Sequence, residues 1–280
     1  MKKSVFVLAA LFAAVTLFTI NIADAQWRNP THDVYNAPTG IDVTIDGNLD
    51  EWGEVMDAVT GTDGSPFCGV EFEGVGGEVK VFEEHGGGKW NNADDQTVCF
   101  MIAWNPDAAY LALSVTDDEH QNSGAAWNGD AAQLAFEPTG KRTSGLALFL
   151  YNVALDNSGE NLILHNERTN GQPGLEAGTD FAITRDEGAK KTYYELRFTP
   201  ANFGVDSFSE GIEVGLGICV NDGDVDTPGQ KGWGGWYPHS VVHGKNSEKT
   251  GLVVLTSTAV TAVEPADKLA TTWGNLKSAK

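Results

Sequence analysis

Basic residues are scarce in this chain: Lys and Arg number 18 against 39 Asp and Glu, a formal charge of −21 over 280 residues. A field of that sign repels nucleic acid and anionic membrane surfaces, and it suits neutral ligands and cations. Long hydrophobic runs are equally scarce, because residues 1–25 hold the only one. That run has the form of a signal peptide, with Lys2 and Lys3 ahead of the apolar stretch Val5–Ile20 and a small-x-small ending at Ala23-Asp24-Ala25. We therefore expect an exported chain, periplasmic or extracellular after cleavage, with no membrane insertion.

Catalytic signatures are missing too. No Gly-x-Ser-x-Gly, His-Glu-x-x-His or Gly-x-x-x-x-Gly-Lys occurs, and the six histidines are scattered. A glycosidase needs only two well-placed carboxylates, and among 39 acidic residues such a pair arises by chance. The composition thus points away from an enzyme without excluding one.

Cysteine is rare, at three residues. Export permits a disulfide and the odd count leaves one thiol over. Cys68 lies in a Gly-rich loop in need of a tether, which favours a Cys68–Cys99 bridge. Closing that loop would stabilise the fold by roughly 3–4 kcal/mol in the chain-entropy model. Cys219 lies in the apolar run Val214–Val220 and reads as a buried thiol.

What is abundant is glycine, 33 residues without a repeat period, and short alternating segments. Ile41–Ile45, Glu78–Phe82, Val98–Trp104, Tyr110–Thr116, Ala131–Glu137, Leu146–Val153, Asn161–His165, Phe181–Arg185, Tyr193–Phe198 and Glu213–Asn221 read as strands. Helix is confined to a turn or two at Leu49–Met56 and Pro200–Phe203. The expected fold is all-β, an antiparallel β-sandwich of jelly-roll or immunoglobulin-like form with long Gly-rich loops. Residues 26–40 read as a lead-in, 41–255 as the sandwich, and 256–280 as a linker and tail. Residues 61–95 form a long irregular excursion. Residues 266–280 are either a frayed terminus or a signal for docking at the cell surface.

Three constellations carry candidate chemistry. Asp117, Asp118, Glu119 and His120 close the strand Tyr110–Thr116, and tightly grouped carboxylates repel one another unless a cation sits among them. Asp222, Asp224 and Asp226 alternate along Asn221–Asp226, so their side chains could converge on one ion. An EF-hand is excluded, because its glycine and glutamate positions hold Thr227 and Trp233. Calcium is the expected ion; a solvated acidic loop is the alternative at both places. The third set is aromatic: Trp127, Trp233, Trp236, Tyr237 and His243. Indole faces stack on the C–H faces of sugar rings, or else these rings plug the end of the sandwich. Ile45-Asp46-Gly47-Asn48-Leu49-Asp50-Glu51-Trp52 reads as a structural turn with a buried tryptophan.

Taken in order, these pieces resemble the family 9 carbohydrate-binding modules, a calcium-binding β-sandwich family related to DOMON-type domains. The matching segments are Ile45 to Trp52, Tyr110-Leu111 with Val115 and Asp117-Asp118, and Trp127-Asn128-Gly129-Asp130-Ala131-Ala132-Gln133-Leu134. Tyr194-Glu195-Leu196 with Pro200, Val220-Asn221-Asp222 and Thr250-Gly251-Leu252 complete the set. Such modules clamp a terminal sugar between two aromatic rings. The resemblance implies that Trp127 is one ring, with Asp130 and Gln133 binding hydroxyls; Gln133 stands where the family offers glutamate. Trp236 and His243 lie nearest the place of the second ring. The expected function is non-catalytic binding of an oligosaccharide or polysaccharide, serving polysaccharide catabolism. The alternatives are a surface or matrix interaction module and a b-type haem electron carrier. Only Met56 and Met101 remain after residues 1–25 as axial ligands for a haem.

Overall fold

Twelve strands form among the described residues, most of them where the sequence alternates. They are β1 (Val34–Thr39), β2 (Phe82–Glu84), β3 (Gln96–Trp104), β4 (Ala109–Asp117), β5 (Ala131–Glu137), β6 (Phe149–Leu155), β7 (Asn161–Asn166), β8 (Phe181–Asp186), β9 (Lys191–Phe198), β10 (Glu213–Asp222), β11 (Gly232–Trp236) and β12 (Gly251–Ala259). The computed structural model describes residues 28–71, 80–123, 126–166 and 171–260. The expected signal peptide, part of the Gly-rich excursion and the tail 266–280 lie outside the described residues. Among the described residues no helix is long and apolar enough to cross a membrane.

The strands follow the order β7-β6-β5-β10-β12-β1-β3-β4-β9-β8, with β11 on β10 and β2 on β11. β1 meets β3 only at Thr39 and Trp104, and there the path folds into two layers. Leu134 and Phe136 of β5 and Leu216 and Ile218 of β10 enter one core with Leu111 and Leu113 of β4 and Leu196 and Phe198 of β9. Phe136 meets Phe198 edge to face at 5.0 Å across the layers, a geometry that adds about 0.5–1.5 kcal/mol to area burial. The fold is therefore the expected β-sandwich, and Cys68 is joined to Cys99 as expected. Cys219 is buried, with Sγ 3.5 Å from Asn221 Oδ1.

Beyond small shifts at strand ends, the structure departs from the sequence reading in several places. The lead-in contains β1, which runs parallel to β12, so the sheet is not wholly antiparallel. The linker begins later than residue 256, because β12 runs to Ala259. Ile41–Ile45 is not a strand. Carboxylates hold it and the turn after it instead: Thr44 N donates to Glu51 Oε1 at 3.2 Å, and Asp46 N and Gly47 N, just beyond, donate to Glu195 Oε2 at 2.9 and 3.1 Å. Gly232–Trp236, which is not among the strands read from the sequence, is β11. A Cβ at Gly235 (φ 122°) would lie 2.3 Å from Ile218 O, so the glycine permits close approach to β10.

Helix is limited to short pieces. A 3-10 turn over Asp50–Trp52 leads into α1 (Gly53–Ala58), and α2 spans Pro200–Phe203. A reciprocal Thr199–Asn202 capping box starts α2, and Gly204 at φ 71° ends it.

Candidate functional site

The loops at one end of the sandwich bring the carboxylates together. Gln121 N donates to Asp130 Oδ2 at 2.6 Å, Gly223 N to Asp130 Oδ1 at 2.8 Å and Val225 N to Glu119 Oε2 at 3.3 Å. These bonds tie loop 118–122, loop 126–130 and loop 223–231 into one assembly. Carboxylate oxygens of Asp95, Asp118 and Asp224 lie within 4.8 Å of one another. Asp117, Asp130 and Asp222 lie buried behind them.

That burial has an electrostatic consequence. Desolvation and the neighbouring Asp130 push Asp117 up to about 10, against the opposing pull of Arg185, whose Nη1 lies 3.3 Å from Asp117 Oδ2. Desolvation, reinforced by Asp130, Asp224, Asp95 and Asp118, pushes Asp222 up to about 8. Asp95, Asp130 and Asp224 are raised in the same way, burial first. His120 opposes the shift at Asp130, with Nδ1 3.2 Å from Oδ2, while its Nε2 reaches Leu155 O at 2.9 Å. Oxygen donors that repel one another this strongly fit a hard cation such as calcium.

Beside this cluster the sheet presents a row of amides. Along β5, Ala132, Leu134 and Phe136 point into the core, which turns Gln133 to the opposite face. There Gln133 Nε2 donates to Asn221 Oδ1 at 3.0 Å, and Gln230 Nε2 donates to the same oxygen at 2.7 Å. Asn221 Nδ2 in turn donates to Trp127 O at 2.6 Å. Asn128 Oδ1 accepts from Gln230 N at 3.1 Å. Ala126, at φ 46°, and Gly129, at φ 134°, bend the loop on either side of Trp127. Trp127 lies at the surface, 46 % exposed.

No protein-family model and no curated protein matches the chain. Solved structures do match in fold, among them the following two. A family 9 carbohydrate-binding module from Caldicellulosiruptor kristjanssonii in complex with cellotriose superposes with a TM-score of 0.53 at 13% identity, over 83% of this chain and 98% of that one. Its complex with glucose gives 0.54 at 12% identity, over 82% and 100%. The chain has the fold of a family 9 carbohydrate-binding module. On that fold, the residues expected to bind sugar separate into exposed and buried sets.

Trp127 is on the surface and held by the amide row. Trp236 is not: it is fully buried, its Nε1 donates to His32 O at 2.6 Å, and it packs on Phe67 and Phe100 in the core. It cannot be a second sugar-facing ring. Asp130 is buried with both oxygens accepting backbone N–H groups, so it braces loops rather than meeting hydroxyls. Gln133 is buried beneath the Trp127 loop and supports it through Asn221. His243 contacts Glu83 and the edge of Trp233. Of the acidic residues, Asp118 and Asp224 converge and Asp117 and Asp222 lie behind them. Asp226 is exposed and stands outside the converging group, because the chain turns outward after Asp224. Met101 packs in the core and Met56 lies on α1.

Sequence reasoning missed Asp95, which a separate loop delivers, and Gln230, Asn221 and Asn152. Asn152 pairs with Gln133 across β6 and β5, and its Nδ2 is buried without a partner among the described residues. Its position three residues into an apolar strand, Phe149–Leu155, was a usable signal, since a buried amide in such a run needs a reason.

Proposed function

We propose that this chain is an exported, non-catalytic carbohydrate-binding protein in which a sugar ring stacks on Trp127. The exposed Trp127, whose backbone O accepts from Asn221 in a network that also holds the side-chain amides of Asn128 and Gln230, carries this reading. An aromatic face beside amide donors and acceptors is what a sugar ring requires, apolar C–H on one side and hydroxyls at the rim. The bound cellotriose and glucose of the two structural neighbours support the same ligand class.

Calcium is the ion we assign to Asp95, Asp118 and Asp224, with Asp222 behind them. It would neutralise the loops that carry Trp127 and so fix the platform. Calorimetric titration with glucose and cellotriose, in calcium and in excess EDTA, tests both parts. Saturable binding in calcium is expected, and Trp127→Ala should weaken it by about 30-fold or more, as loss of an aromatic anchor does, without lowering the melting temperature. Unchanged affinity in that variant would remove Trp127 from the site. Silence of the folded wild-type protein towards a wide glycan panel would overturn sugar binding altogether.

A further inference from the structure

A second constellation lies at the edge of the sheet, made of nitrogen as well as oxygen donors. Glu83, on β2, places Oε2 2.6 Å from His239 Nε2 and Oε1 3.0 Å from His243 Nε2. The three ligand atoms lie within 4.8 Å of one another. We propose that Glu83, His239 and His243 bind a divalent transition-metal ion of the zinc type, at a site distinct from the carboxylate cluster.

The donor set decides the class of ion. Calcium takes oxygen ligands, whereas imidazole nitrogen suits zinc, copper and nickel. Zinc bonds of about 2.0–2.2 Å in a tetrahedron put neighbouring ligand atoms about 3.3 Å apart. The separations of 2.6 and 3.0 Å run to the two different oxygens of Glu83, and one ligand atom from each residue lies within 4.8 Å of the others, so side-chain rotations bring the three donors to that spacing around one ion. Three protein ligands leave one position open. His243 is 52 % exposed at the side chain, so that position faces solvent.

The backbone holds the pair in place. His239 sits in the 3-10 turn Pro238–Ser240, and Asn246 closes the segment, Nδ2 donating to His239 O at 3.3 Å and to His243 O at 3.2 Å. Asn246 N donates to Ser240 O at 3.0 Å. His243, Gly244 and Lys245 follow one another at φ 55°, 122° and 63°, a left-handed run that a histidine and a lysine enter only at a cost. Trp233 packs against His243 at 5.5 Å and completes the wall. The strained turn aims the exposed imidazole back at Glu83, where a shared metal would repay the strain.

The competing arrangement is a metal-free triad in which both rings donate to Glu83. Zinc titration of the tag-free, calcium-saturated protein by chelator competition separates the two. One equivalent of zinc is expected to bind, and cobalt substitution should give the intense visible bands of a tetrahedral site. His243→Asn tolerates the left-handed backbone yet removes a ligand, and Glu83→Gln removes the shared carboxylate. Each should weaken zinc by at least about 100-fold, the upper end of what loss of a supporting partner alone costs. Circular dichroism checks that both variants fold. Failure of the folded wild-type protein to bind zinc, or zinc affinity unaltered in His243→Asn, would overturn the assignment and leave the hydrogen-bonded triad.

Discussion

On the calcium assignment proposed above, chelation would leave the acidic cluster a pH-sensitive weak point whose sign and size follow from Asp222. Burial and four neighbouring carboxylates lift that group from an ordinary 3.8 to about 8 in the folded chain. Between those values the native state holds a proton that the unfolded state has released. Stability is then fully present below about pH 4 and is lost as pH rises through about 8, at about 1.4 kcal/mol per pH unit. From pH 5 to pH 7 the loss from Asp222 is about 3 kcal/mol, a large share of a domain's 5–15 kcal/mol. Asp117, pushed up to about 10, acts in the same direction. Urea unfolding in excess EDTA at pH 5, 6 and 7 measures this. The wild-type protein should weaken as pH rises, and Asp222→Asn should remove about 1.4 kcal/mol per unit of that slope. General self-repulsion at a charge of −21 affects both proteins alike, so the difference isolates the site. Saturating calcium should remove the part of the slope that Asp222 carries, because the ion replaces its proton. Chelated wild-type stability that is flat or rises with pH, or a slope unaltered in Asp222→Asn, would refute the reasoning.

Glu195→Ala leaves Trp52 Nε1, Asp46 N and Gly47 N without their acceptor. At about 1–3 kcal/mol for each buried orphan, the urea midpoint should report a loss of about 3 kcal/mol or more, with Glu195→Gln milder. Trp236→Ala should cost about 3–5 kcal/mol of stability as a core truncation, and a normally stable variant would contradict its burial. Replacing both Cys68 and Cys99 by serine reopens a separation of 31 residues, and denaturant curves should show a loss of about 4 kcal/mol.

Much of the fold was legible because strands announce themselves by alternation. Ala131–Glu137 and Pro200–Phe203 have the bounds that their patterns predict, and most other strands differ by one to three residues at an end. The misses have a common cause. Ile41–Ile45 alternates like a strand, but Thr44 N donates to Glu51 and the turn that follows, Asp46-Gly47, is held by Glu195, some 150 positions away. Gly232–Trp236 lacks a strand's side chains and becomes one because β10 and β2 flank it.

The candidate site divides along the same line. Sequence by itself determined the class of chemistry: clustered carboxylates, a tryptophan in a polar loop, a pair of cysteines placed to tether a Gly-rich excursion. Those follow from residue type and local spacing, which no folding changes. Only the tertiary structure decided which groups face solvent and which face one another. It put Trp127 outside and Trp236 inside, brought Asp95 to Asp118 and Asp224, and set Glu83 between His239 and His243. Burial and convergence depend on contacts between segments distant in the chain, and local periodicity carries no information about those contacts.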